Sequence, residues 1–112
     1  MTDMTVERLA SDCGFRPLVI SDKERTVSGA YVGDLLSWVM GRANADNAWI
    51  TIMSNINVVA VASLSDVACV IFAEGVVPDG DVIDTARSKG INLLVSELPI
   101  YETAIKLSAL PI

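Results

Sequence analysis

The sequence predicts an α/β fold: a small single-domain sandwich, residues 1–112, in which a largely parallel sheet is flanked by helices. Three observations carry this. The runs VACVIFA (67–73) and INLLV (91–95) have the near-continuous apolar character of strands covered on both faces. Segments with helical spacing and end signals lie between the strand-like segments. The 13 residues between Met53 and Val67 suit a helical crossover joining parallel strands.

The elements follow in order. Val6, Leu9, Ala10 and Cys13 recur at helical spacing, with Thr2 or Thr5 as N-cap and Gly14 as a stop, so a first helix is expected over about residues 4–12. RPLVIS and RTVSGA read as two strands joined by the polar turn DKER. Leu35, Leu36, Val39 and Met40 define a second helix that begins near Asp34 and ends at Gly41. AWITIM is rich in β-branched residues and reads as a strand. VVAVASL is ambiguous by periodicity; the connection length selects a short helix, with Ser54, Asn55 and Asn57 as candidate N-caps. VVPDGDVIDTARSKG reads as a helix started by Pro78 and Asp79 and closed by Gly90, with Val82, Ile83 and Ala86 inward. A last helix is expected from Pro99 to just before Pro111.

Composition narrows the chemistry. A chain of 112 residues can bury roughly two thirds of its unfolded surface around one core. No apolar run approaches the roughly 20 residues of a membrane span, and MTDMTVERLASD lacks the pattern of a signal peptide, so a soluble, cytoplasmic protein is expected. The net charge is −6 and the eight basic residues are scattered, which argues against nucleic acid as a partner. Cys13 and Cys69 sit in apolar neighbourhoods and read as reduced core thiols. Histidine is absent, which excludes Ser-His-Asp and Cys-His catalysis and histidine metal sites. No catalytic residue, metal ligand or cofactor is expected.

Gly29 and Gly33 bracket the start of the second helix, where free N–H groups can hold an anion. Their G-x-x-x-G spacing lacks the Lys-Ser/Thr of a phosphate loop, and Asp34 places a carboxylate where a phosphate would sit. They are read chiefly as a close-packed junction, with ligand contact as the alternative. Ligands of open parallel sheets bind beyond the carboxyl ends of the strands, where this chain offers Ser54, Asn55 and Asn57, then Glu74 and Gly75, then Ser96 and Glu97. Small polar groups and acids there suit a neutral or cationic metabolite; helix capping is the alternative use. Glu74 and Glu97 would form a carboxylate pair if their strands were neighbours, which leaves acid/base chemistry as a minor reading. Trp38 flanks the apolar stripe of the second helix and is the candidate interface residue.

The order of elements, with GAYVGDLLSWVM, WITI, NVVAVASLSDVACVIFAEGVVPDGDVIDTARSKGINLLVSE and YETAIKL, resembles a DRTGG domain over about Thr26 to Leu107. Such domains are similar to the amino-terminal domain of HPr kinase/phosphorylase and occur within phosphotransacetylases and regulated pyrophosphatases. The resemblance implies an accessory role, regulatory or dimerising, with turnover carried out elsewhere. The chain departs from the family pattern at two places. Met53, Ser54, Asn55 and Ile56 stand where an acidic and a basic residue are usual, and Ala73, Glu74 and Gly75 where a glycine pair is usual. The expectation is a non-enzymatic DRTGG-like module that forms a homodimer and binds a small molecule or a partner protein. A metabolite or nucleotide sensor is the first alternative, and an enzyme or enzyme subunit using Glu74 and Glu97 the second.

Overall fold

The computed structural model describes residues 3–112. Ten elements follow one another: α1 (Val6–Cys13), β1 (Arg16–Val19), β2 (Ala30–Val32), α2 (Leu36–Arg42), β3 (Ala48–Thr51), α3 (Asn57–Ser65), β4 (Cys69–Phe72), α4 (Gly80–Lys89), β5 (Leu93–Val95) and α5 (Ile100–Ser108). The five strands form one sheet in the order β1-β5-β4-β3-β2. β2, β3, β4 and β5 are parallel, and only β1 runs antiparallel, against β5.

Alternation along each strand divides the core in two. Ala48, Ile50, Cys69, Ile71 and Leu94 point to the face covered by Val6, Leu9, Ala10 and Cys13 of α1 and Leu107 of α5. Trp49, Val70, Phe72, Leu93 and Val95 point to the face covered by Val39 of α2, Val58, Val59 and Ala62 of α3, and Val82 and Ala86 of α4. Both faces are covered, so β3, β4 and β5 are buried at every position and their sequences show no polar alternation. Each of the crossovers through α2, α3 and α4 packs on the same face and lays the next strand beside the last.

Most elements match the sequence expectations. α1 has Thr5 as N-cap, its side chain accepting from the Arg8 amide, and Gly14 closes it in the left-handed region at φ 70°. Thr2, the other candidate cap, lies outside the described residues. The ambiguous VVAVASL is helical, and α4 ends at Gly90 in the left-handed region.

Three expectations need correction. RPLVIS and RTVSGA do not form neighbouring strands: β1 and β2 occupy opposite edges of the sheet. Most of RTVSGA is irregular, with a single bridge from Thr26 to Thr5, because Gly29 at φ 73° breaks the extended run and regular pairing starts at Ala30. In α2, Gly41 lies inside the helix, and of the predicted stripe only Val39 is fully buried, whereas Leu35 and Met40 face solvent. Finally, the N-cap position of α3 is Ile56, and Asn55 instead accepts the Asn57 amide in a side-chain turn of 2.9 Å.

Candidate functional site

The stretch from Ser28 to Trp38 forms the β2–α2 junction. Gly29 adopts φ 73°, and a Cβ there would come within 3.1 Å of Asn47 Nδ2. That nitrogen donates to the Ser28 carbonyl at 2.8 Å, while Asn47 Oδ1 accepts from the Asn44 amide, so one buried side chain ties two turns together. A Cβ on Gly33 would lie 2.9 Å from the Tyr31 ring. The Gly33 carbonyl accepts the indole N–H of the fully buried Trp49 at 2.9 Å, satisfying that side chain's one polar atom. The Asp34 carboxylate turns to the end of β3, accepting from Thr51 Oγ1 and the Ile52 amide. Gly29 and Gly33 thus both serve close packing, and a negative charge stands beside the helix start.

At the carboxyl ends of the strands the structure brings Glu74, Gly75, Ser96 and Glu97 together, because β4 and β5 are neighbours. The Glu74 amide donates to the Leu98 carbonyl and the Gly75 amide to the Ser96 carbonyl, both at 2.8 Å. Val76 donates back to Ala73, closing a tight turn whose central residues Glu74 and Gly75 have φ of 61° and 68°. These are left-handed values, favoured by glycine, so a glycine pair at this place has a conformational reason; here Glu74 holds one of them with a side chain. Glu97 Oε2 lies against Gly75, leaving only 2.6 Å to a built Cβ, and Glu97 Oε1 is 3.9 Å from the Arg16 guanidinium. Ser96 is buried, with its hydroxyl bonded to Thr103 and to the Leu98 amide. Ser54 and Asn55 lie on the loop after β3 and Asn57 opens α3, and among the described residues no hydrogen bond joins them to Glu74 or Gly75.

The arrangement can accept hydrogen bonds and attract positive charge; among the described residues no cluster of three or more metal-ligating side chains accompanies it. Burial pushes the Cys13 thiol up from its ordinary value, and the fully buried Cys69 thiol up to about 12, so both are neutral and poor nucleophiles near pH 7.

The apolar surface lies elsewhere. Leu35, which caps α2, is 57% exposed and Trp38 on the helix 52%, with the Arg42 guanidinium 3.7 Å above the Trp38 ring. Met40 and, on the adjoining strand, Val32 are exposed as well. Beside β2, an open groove of about 250 Å³ runs between the strand and the end of α5, lined by Gly29, Ala30, Val32, Ile50, Leu107 and Ile112 among others. Of the predicted site residues only Gly29 reaches it. Sequence reasoning missed this groove, since it needs the tail after α5 to fold back beside an edge strand.

No family model matches the chain, and no curated protein matches it. Among solved structures, the chain is similar to the CBS and DRTGG domains of the regulatory region of a Clostridium perfringens pyrophosphatase, a crystal structure in complex with its activator diadenosine tetraphosphate. The superposition has a TM-score of 0.75 at 11% identity and covers 92% of this chain. The fold is DRTGG-like. The chain spans 45% of the length of that structure, and the matched protein region is regulatory. With so few identical residues, the likeness is one of backbone architecture, and it concerns the fold alone.

Proposed function

We propose that this chain is a non-catalytic regulatory module that works as a homodimer. The observation that carries the reading is the set of exposed apolar side chains around one sheet edge: Val32 on β2, Leu35 just before α2, and Trp38 and Met40 on α2. Large apolar and aromatic residues at such density mark interface centres, and a monomer gains nothing from leaving them in water. The regulatory setting of the similar pyrophosphatase region supports the same role. The acidic surface, at net charge −6, argues against nucleic acid, and a cytoplasmic location remains part of the reading. Native mass spectrometry at micromolar concentration tests it: a dimer is expected, and a monomer at every concentration up to the solubility limit overturns it.

A second reading is favoured by Glu74, whose left-handed backbone is the kind of local strain often held at binding sites. In it, Glu74, Gly75, Ser54, Asn55 and Asn57 receive a small ligand, with Gly29 and Gly33 only bracing the neighbouring junction. The two carboxylates, Glu74 and Glu97, favour a neutral or cationic compound over a polyphosphate such as diadenosine tetraphosphate. A thermal-shift panel of amines, neutral metabolites and nucleotides discriminates, since a compound that binds only the native state raises Tm. No shift with any compound overturns this second reading.

A further inference from the structure

We infer that two copies of this chain join along strand β2, pairing antiparallel about Tyr31 so that the two sheets continue as one. This rests on the homodimer reading above and names the surface that forms the dimer.

β2 is an outer strand of the sheet. The Gly29 carbonyl accepts from Ala48 and the Gly33 amide donates to Ile50, so the backbone groups of alternate residues 29, 31 and 33 face β3. Direction alternates along a strand, and the N–H and C=O of Ala30 and Val32 therefore point away from the sheet. Among the described residues nothing bonds to them.

The two edges of the sheet are built differently. β1 carries Arg16 and Pro17 and breaks register between Pro17 and Val19, all devices that keep an edge from pairing with another chain. Ser28 to Gly33 has no charge, no proline and no bulge.

A two-fold pairing must be self-complementary. With the axis at Tyr31, Ala30 faces Val32 of the second copy and Val32 faces its Ala30. Opposed residues in such pairs exchange both hydrogen bonds, so every outward group of Ala30 and Val32 is satisfied. The side chains fit as well. Ala30 and Val32 share the sheet face of Ala48 and Ile50, where the groove beside α5 lies open. The pairing sets the second copy's Val32 next to the small Ala30 at the lip of that groove. On the other face, Tyr31 meets its own copy as a close aromatic pair.

Charge selects a second copy over an ionic peptide. At net charge −6 the chain repels itself over most of its surface, but the groove is lined by no ionisable side chain. Self-pairing there sets no charged side chain of the groove lining against another.

Two variants, a control variant and one measurement test this. Directly opposed residues of the non-hydrogen-bonded kind have Cα atoms about 4.5 Å apart, within disulfide reach, so Tyr31→Cys should give a covalent dimer on mild oxidation while Ser37→Cys on α2 does not. Val32→Pro removes one outward N–H and no bond to β3; it should abolish the dimer while the monomer keeps its circular dichroism and cooperative melt. In the unmodified protein, the amides of Ala30 and Val32 should exchange more slowly as concentration rises, a readout that stands even if Val32→Pro does not fold. A dimer that persists in Val32→Pro, or concentration-independent exchange at both amides, overturns the β2 pairing and leaves the homodimer reading intact. A wild-type monomer overturns both.

Discussion

One oxygen of Asp34 holds two groups at the end of the neighbouring strand: Oδ1 accepts the Thr51 hydroxyl at 2.7 Å and the Ile52 amide at 2.9 Å. Thr51 is fully buried, and its Oγ1 in turn accepts the Met53 amide at 3.1 Å. The chain leaving β2 and the chain leaving β3 are therefore fastened at one point, which fixes where α2 starts.

Removing that acceptor should be costly. Asp34→Ala leaves a buried hydroxyl and an amide without their partner, a loss of about 1–3 kcal/mol. Asp34→Asn keeps an acceptor oxygen at the same place and should cost less than half as much. Urea denaturation of the two variants beside the wild type checks the ranking; equal stabilities would show that water replaces the carboxylate freely.

A second fastening closes the opposite end of the sheet. Arg25 donates through Nε and Nη2 to Asp46 Oδ1 at 3.0 and 2.8 Å, and through Nη2 to both the side chain and the carbonyl of Asp66. Asp46 and Asp66 both have positive φ, at 68° and 55°, so one guanidinium steadies two left-handed turns and the carbonyl end of α3. Arg25→Lys keeps the charge but cannot present the fork, and should cost about 1 kcal/mol; Arg25→Ala should cost about 2 kcal/mol. Thermal melts at low and high salt separate the contributions, since a bond geometry lost to lysine is not restored by ionic strength.

Much of this architecture was legible in the residues. VACVIFA and INLLV announced buried strands because both sheet faces are covered, and Val6, Leu9, Ala10 and Cys13 announced a helix because one face alone is buried. The carboxyl-end cluster was legible in part. Glu74 and Glu97 were placed at strand ends, but their meeting depends on β4 lying beside β5, which is a non-local pairing. The same limit explains β1 and β2: the turn DKER suggests neighbours, whereas Arg16 pairs with Val95 at the far edge. Leu35 and Met40 show another ambiguity, since an apolar helical stripe looks alike whether it meets its own core or faces outward. The Asp34 and Arg25 fastenings carried no local signal, because their partners are many residues away in the chain.

The buried thiols give the fold an alkaline limit. Burial raises Cys69 from 9.0 to about 12 and raises Cys13 as well, so the folded state keeps protons that the unfolded chain releases. The sign follows from linkage: the contribution is fully present below pH 9.0 and is lost as pH rises from there toward about 12. Between pH 8 and about 11, Tm of the wild type should fall more steeply than that of Cys69→Ala. A thiol reagent should label neither cysteine in the native protein at pH 7.5 and both in denaturant; rapid native labelling of Cys69 would contradict its burial.

Glu74 offers the reverse case, a residue whose replacement should strengthen the fold. Its φ of 61° is a conformation that a side chain makes unfavourable by about 1–2 kcal/mol, and glycine adopts it freely. Glycine also raises the entropy of the unfolded chain, which returns about 0.5–1 kcal/mol of that gain. Glu74→Gly should therefore stabilise by about 0.5–1 kcal/mol, and Glu74→Val, with a branched Cβ in the same turn, should destabilise by more than about 1 kcal/mol. Either change keeps the backbone bond from the Glu74 amide to the Leu98 carbonyl and removes the carboxylate, so the comparison of the two variants with each other reads the backbone conformation. If Glu74→Gly melts at or below the wild-type temperature, the carboxylate contributes folded-state interactions that outweigh its strain, and the stabilisation argument for this turn fails.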